Sequence, residues 1–559
     1  MPSKAKRRRH SRKKTRKLRR TGLKRRKTKK NYSGGQGEMP IKYESGKLRI
    51  VKPLLNPLLH NYYYNDKGEK QDYGNKIPYI DKWNKTVKSG KAEFEEYVTN
   101  TFMVDPEVFL ASKISQKFTI GPKYRLILDT DPGCDDSLFI ACCISSVYLL
   151  RQQKIDIKIR GITIVYGNNN SVELLARAAA RILLECKVDT NLKDVLSKNF
   201  KLVMGNSLPG KDSPGTFVHG EFGLGNVNPD ENDEWKTKID AFLRKYGSNK
   251  TKNNNAAEFI KETLQKATKP NEEIYILAVG PLTNISDTFN LLTDDSDGKI
   301  QSNLKELVIM GGSVGMGNTA PLVEANWMND PSAVDNVLKK FQGKITWVPL
   351  NFTHQLNIIR VVEYFKELIR QESVKNVHLL QLFCNIFERY IEALTGKIVK
   401  AVIENANDEQ ISIRLFDTTI GYKTKFRMDD KSIYDKVFEG TKLTDDLFPN
   451  GIEQYGLPLH DGSAMLAFFF DGMIEFENRY ISIDTEKTTY NWGSPEDAKE
   501  VAGKVHMFEK QETNSSPLRE LTPTREVNLA YQPKMPSGIE DIHKVFVNLI
   551  LYLNKQTTE

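Results

Sequence analysis

Four carboxylates fall within the eight residues Asp129-Thr130-Asp131-Pro132-Gly133-Cys134-Asp135-Asp136. Gathered away from water they would repel one another and lose hydration, so such a group demands a cation. A hard divalent metal bound through oxygen meets that demand. Oxygen-only ligands point to Ca2+ or Mg2+ over zinc, and a wide site assembled from several loops favours Ca2+. The Pro-Gly turn lets the chain fold back so that Asp131 before it and Asp136 after it face one point. An acidic turn with a helix N-cap pair is the plainer reading of an isolated Asp-Asp dipeptide. The density of acids and their position after an apolar run weigh against it here.

These acids need elements to carry them. From Lys123 onward short β-rich runs alternate with longer helical patterns, which predicts a mostly parallel, Rossmann-like central sheet flanked by helices, an α/β fold. The strands expected are 124–128, 157–166, 273–279, 306–310 and 345–350. SLFIACCISSVYLL, VELLARAAARILLEC, AAEFIKETLQKAT and the closing GIEDIHKVFVNLILYLNK read as helices. The first strand runs into the acidic segment, the second into Gly167-Asn168-Asn169-Asn170, the third into Gly280-Pro281-Leu282-Thr283-Asn284 and the fourth into Gly311-Gly312 and then Asn318. Carboxyl ends of parallel strands share one edge of the sheet, so these distant residues converge on one crevice.

The rest of the chain bounds the setting. Residues 1–30 hold 18 Lys or Arg and no acid, while the remaining residues carry 64 basic and 71 acidic side chains, a net of −7. The overall charge of +11 is therefore a property of the tail. Such a run cannot bury apolar surface, which predicts a disordered tail over 1–35, free to meet the phosphates of RNA or DNA or to act as a nuclear or nucleolar address. Residues 36–120 form an extension of unassigned role, and 121–559 the α/β domain, with surface insertions near 226–255 and 395–450. Five cysteines without a CxxC pair, and no secretory pattern ahead of them, suggest reduced thiols in a cytoplasmic or nuclear protein that is not secreted. No run reaches the about 18 apolar residues of a membrane span.

Read together, the blocks DTDPGCDD, IVYGN ending at Asn168, HGEFGLG from His219, LAVGPLTN from Leu277, VIMGGSVGMGNTAPLVEANWMNDPSA from Val308, LNFTHQ from Leu350 and LHDGSAMLA from Leu459 resemble the inosine-uridine-preferring nucleoside hydrolases, over roughly residues 123–480. The resemblance implies Ca2+ held by the carboxylates of Asp131, Asp136 and Asp461 and the backbone carbonyl of Val279. It implies Asp131 as general base for the attacking water and His460 as donor of a proton to the leaving base. Asp135, Asn168, Asn318, Glu324 and Asn326 would hold the sugar, and His219 would contact the base. The substrate implied is a small-molecule ribonucleoside, and self-association is left open. Gly462 stands where many members have Pro, Val279 where some have Thr, and Ala325 where Phe is commoner; none of these removes a ligand.

The chemistry of N-glycosidic cleavage suits this set on its own terms. A ribosyl-cation-like transition state calls for negative charge and amide oxygens around the sugar, an activated water on the far face, and a proton for the base. Single residues also have plainer readings. Asn168 after Gly could occupy a left-handed turn, Asp330-Pro331 reads as a helix N-cap, and GGSVGMGN lacks the GK[ST] ending of a phosphate loop. Glu324 and Asn326 alternate with apolar neighbours and would share one side of an extended segment. His354 reads as a satisfied core residue, and His10, His60, His378, His506 and His543 belong to no constellation. Two other functions compete with hydrolysis. One is a catalytically silent scaffold that binds nucleic acid through its tail; the other is a phosphatase using Asp129 as nucleophile, which lacks a second acidic metal motif.

Overall fold

The structure, a computed structural model, describes residues 98–102, 104–207, 215–247, 255–267, 271–292, 301–314, 317–319, 323–374, 376–394, 458–490, 499–508, 525–534 and 538–557, with short strands at 62–64, 70–72, 412–414 and 425–427. The basic tail, nearly all of residues 36–97 and most of 395–457 lie outside the described residues, together with the expectations placed on them.

A nine-stranded sheet forms the centre. In chain order its strands are β1 (Lys123–Thr130), β2 (Asp156–Ile164), β3 (Leu196–Met204), β4 (Glu272–Ala278), β5 (Leu304–Met310), β6 (Lys344–Val348), β7 (Ile474–Ile483), β8 (Val505–Phe508) and β9 (Arg525–Pro533). Across the sheet they run β8-β7-β9-β6-β5-β4-β1-β2-β3. The seven from β9 to β3 are parallel, and β7 is antiparallel to both its neighbours. The chain builds outward from β1 through β2 to β3, then returns to the other side of β1 with β4, β5 and β6. The reversal point lies between β1 and β4, where open α/β sheets leave a crevice at the carboxyl ends of their strands.

The helices are α1 (Pro106–Lys113), α2 (Cys134–Gln152), α3 (Val172–Glu185), α4 (Asp233–Tyr246), α5 (Asn255–Lys266), α6 (Thr283–Leu291), α7 (Ala325–Asn329), α8 (Pro331–Lys340), α9 (Ile358–Arg370), α10 (His378–Leu394), α11 (Asp461–Phe469) and α12 (Gly538–Gln556). They cover both faces. Successive side chains of a strand point to opposite faces, and β1 shows it: Leu126 and Leu128 join the core beneath α2, α11 and α12, whereas Ile127 joins the core beneath α5, α6 and α8. Helix α2 is buried on every side from Cys134 to Val147 and largely apolar beyond its acidic first turn, as a helix enclosed by others must be. Among the described residues no helix is long and apolar enough to cross a membrane.

The expected fold class is the one observed, with elements that the sequence pattern did not reveal. Strand β3 was not expected, because it lies at the sheet edge and its outward residues Lys198, Asn199 and Lys201 are exposed, which erases the apolar run. The last three strands were also unread. The run expected at 345–350 ends at Val348, because Pro349 lacks a donor for the ladder and leads into the helical turn Leu350–Thr353. The segment 226–255 contains α4, which docks on α3 through Arg177 bonded to Asp230 and to Asp240 at 2.7 Å.

The sheet-to-helix joints at the rim are secured by caps. Asp330 accepts from the Ala333 amide at 3.0 Å ahead of Pro331, and also from the Thr283 hydroxyl at 2.6 Å, tying α8 to α6. Replacing Asp330 with Ala removes both bonds, and urea unfolding should show a loss of about 1–2 kcal/mol; an unchanged midpoint would contradict the cap.

Candidate metal and substrate site

The end of β1 and the start of α2 place the acids. Pro132 and Gly133 turn the chain, and Gly133 N-caps α2, with its amide donating to Asp136 Oδ2 at 2.7 Å. Thr130, the last residue of β1, donates its hydroxyl to Asp136 Oδ1 at 2.5 Å. From the end of β2, the Asn168 amide side chain donates to Asp136 Oδ2 and to the Asp131 carbonyl, both at 3.0 Å, while its backbone N–H donates to Asp131 Oδ2 at 2.8 Å. Asn168 thus bridges the two acids that the Pro-Gly turn separates. Close packing explains the flanking glycines: a Cβ at Gly167 or Gly280 would land on the Asp131 carboxylate.

Asp461, first residue of α11, arrives from a point 325 positions beyond Asp136 in the numbering and meets it side chain to side chain, while its backbone N–H donates to Asp135. Carboxylate oxygens of Asp135, Asp136 and Asp461 all lie within 4.8 Å of one another and are buried. This differs in one member from the set the resemblance implies, since Asp131 stands beside the trio and Asp135 within it. All four are 4% exposed or less. Burial raises the pKa of each: Asp135 to about 7, with Asp136 adding repulsion; Asp131 and Asp461 well above the ordinary value; and Asp136 above it despite its hydrogen bonds. Asp135 Oδ1 has no hydrogen-bond partner. A buried acceptor left open within a cluster of acids is the arrangement that a divalent cation satisfies, and the donor set is all oxygen.

Below the acids, Asp129 accepts from Thr163 at 2.5 Å and Asn284 at 2.9 Å, and burial lifts its pKa to about 7. With those partners it ties β1, β2 and α6 together under the site.

The remaining expected residues fall around this centre. The Val279 carbonyl accepts from Asn326 Nδ2 at 2.7 Å, so those two meet at the end of β4. Glu324 is the N-cap of α7, its buried carboxylate accepting from the amides of Asn326 and Gly312 at 2.8 Å and of Trp327 at 3.0 Å. The extended segment expected over these residues is instead a helix start, because the Glu324 carboxylate satisfies the open amides of the first turn. Asn318 Oδ1 accepts from the Ala325 amide at 3.0 Å, fastening the preceding loop to the same turn.

Two imidazoles complete the rim. His219 Nδ1 accepts from the Cys134 amide at 3.0 Å, which leaves its proton on Nε2, and its ring packs 5.6 Å from that of Tyr390. His460 Nδ1 lies 2.8 Å from the Thr353 hydroxyl. Burial pushes both rings down to about 3, so both are neutral at pH 7. His354 is 3% exposed, its ring 5.4 Å from His460, and neither of its nitrogens finds a partner, which departs from the satisfied residue expected. Sequence reasoning also passed over Thr130, Thr353 and Tyr390; a lone hydroxyl among apolar neighbours gives no pattern to read. His378, His506 and His543 pair with Glu185, Asp484 and the Asn357 amide, away from the acids.

Residues 126–515 match the family model described as inosine-uridine preferring nucleoside hydrolase. Uridine nucleosidase 1 of Arabidopsis thaliana is 33% identical over 249 residues, which are 44% of this chain and 62% of that protein, so the chain spans about three fifths of that relative. Probable uridine nucleosidase 2 of Arabidopsis thaliana is 30% identical over 285 residues, 51% of this chain and 75% of that one. A solved purine-preferring ribonucleoside hydrolase from Gardnerella vaginalis, 18% identical, superposes with a TM-score of 0.43 over 77% of this chain and 99% of its own. With the family pattern matched from the first strand to beyond Asp461, this chain belongs to the inosine-uridine preferring nucleoside hydrolase family.

Proposed function

We propose that the protein hydrolyses the N-glycosidic bond of ribonucleosides to free base and ribose, with Ca2+ held by Asp131, Asp136, Asp461 and the Val279 carbonyl. The observation that carries this reading is the buried acid cluster with an unpartnered Asp135 oxygen at the strand rim. Burying like charges together opposes folding, so such a meeting is costly to build for structural purposes alone. The carboxylates that lie together are those of Asp135, Asp136 and Asp461, and Asp135 would be a further carboxylate able to hold the cation.

When bound, a divalent cation supplies Lewis acidity toward a water and the sugar hydroxyls. The chain's own residues do the rest. Asp131 takes a proton as the water oxygen bonds to C1′ and the C1′–N bond breaks, with the bond electrons leaving on the base. Asn168, fixed on both acids, and Asp135 hold the ribose hydroxyls, and Asn318, Glu324 and Asn326 close the far side of the sugar. Amide oxygens and carboxylates so placed stabilise positive charge developing on the ribosyl ring. His219 offers Nε2–H to the base. His460, neutral in the resting site, becomes the proton carrier as negative charge gathers on the departing base and raises the ring's proton affinity. The basic residues 1–30 would add salt-sensitive, sequence-tolerant affinity for RNA or DNA and a nuclear or nucleolar address.

Three outcomes test this. Incubation with inosine, uridine, adenosine and cytidine should release free base, chelator should abolish it, and Asp131→Asn should lower kcat by about 10²–10⁴-fold; turnover unaffected by both would refute the assignment. In the metal-free protein the folded state keeps carboxyl protons that the unfolded chain releases above 3.8, so stability should fall as pH rises from there to about 7. Calorimetry of Ca2+ addition at pH 6 should then register proton release, and binding without it would exclude raised carboxyl pKa values. Deleting residues 1–30 should weaken binding to single-stranded RNA and flatten its salt dependence, and full affinity after deletion would remove the tail from that role.

A further inference from the structure

The proton donated to a leaving base must sit on a ring nitrogen that faces it, and an imidazole ring free to turn about χ2 presents either nitrogen. His460 is the N-cap residue of α11, and its side chain makes no capping bond to the helix. The segment Leu350–Gln355, which enters from the end of β6, supplies the constraint. Thr353 is fully buried, and its hydroxyl lies 2.8 Å from His460 Nδ1 and 3.4 Å from the Leu350 carbonyl. On the other side the buried His354 ring lies 5.4 Å from that of His460, tilted at 49°. The segment is itself anchored: Asn351 Oδ1 accepts from the Val314 amide at 2.8 Å and its Nδ2 donates to the Val314 carbonyl at 2.9 Å, while Gln355 donates to the Tyr531 carbonyl on β9 at 3.1 Å.

We propose that Thr353 is the positioning residue that engages Nδ1 of His460 and thereby reserves Nε2 for the departing base. A hydroxyl suits the task because it both donates and accepts. It accepts the proton that Nδ1 carries while turning its own toward the Leu350 carbonyl, which leaves Nε2 as the nitrogen that faces the base. Nδ1 therefore keeps its proton and its partner before and after transfer, and Nε2 is the nitrogen left to hand a proton to the base. Valine has the same shape without the hydroxyl, so it leaves Nδ1 buried without a partner and frees the ring to turn. Serine keeps the hydroxyl.

This inference rests on the hydrolase reading, and its test separates the two. Wild type, Thr353→Val and Thr353→Ser are assayed on inosine, on uridine and on p-nitrophenyl riboside, whose phenolate leaves without a proton. Thr353→Val should lose about 10-fold or more in kcat on the nucleosides, with KM little changed, and stay within about 2-fold on p-nitrophenyl riboside; Thr353→Ser should recover most of the loss. Equal loss on all substrates, or no loss on nucleosides, overturns the proposal. Failure of the wild type on every substrate would instead strike the hydrolase reading. A second measurement needs no turnover. In protein carrying 15N-histidine, the Nδ1 resonance of His460, assigned by its disappearance in His460→Ala, should move in Thr353→Val and return in Thr353→Ser. A resonance that does not move overturns the positioning role whether or not the protein is active.

Discussion

Mutual repulsion among buried carboxylates governs this molecule. Asp131, Asp135, Asp136 and Asp461 are enclosed by protein; lost hydration drives each toward its neutral form, and repulsion from neighbouring acids adds to this at Asp131, Asp135 and Asp461. Such a cluster survives only where the surrounding fold is strong enough to impose it. Here a parallel sheet with a complete apolar core on each face does so, and α2 presses its first turn against the rim from a fully buried position. A cation converts the repulsion into attraction, which makes ligand binding and structural relief one event.

Polar groups around the acids are arranged to hold geometry rather than to neutralise charge. The hydrogen bonds that reach Asp131 and Asp136 come from amides and hydroxyls, those of Asn168, Gly133 and Thr130. An Arg or Lys in their place would compete with the cation. Among the described residues, cationic side chains pair with acids at the opposite ends of these strands, Lys117 and Lys344 with Glu306 and Arg125 with Asp156 and Glu272. Charge is thus sorted along the strand axis, with acids free at the carboxyl edge and paired at the amino edge.

The central strands were legible because burial on both faces leaves uninterrupted apolar runs, as in Ile274 to Val279, and because the acidic and amide residues follow each run directly. The edge strands were not, since β3 is half exposed and β7 to β9 obtain their partners from far along the chain. Among site residues, the Asp-rich loop stood out by type and spacing, whereas His460 and Asp461 were indicated by the family resemblance. Glu324 shows the limit of that reading: alternation with Ala325 suggested an extended segment, but the carboxylate bonds three backbone amides and starts a helix. Local hydrogen bonding overrode periodicity there. Thr353 and His354 were opaque for a different reason, because their significance depends on a histidine more than a hundred positions later.

All five cysteines are buried, two of them in the middle of α2 and one at its first residue. Burial pushes their thiols up from the ordinary range, so none offers a thiolate to an oxidant at neutral pH. Sulfur chemistry in this protein is therefore slaved to opening of the core: Cys142 and Cys143 are shielded while the central helix lies on the sheet, and that helix carries the acidic turn at its head.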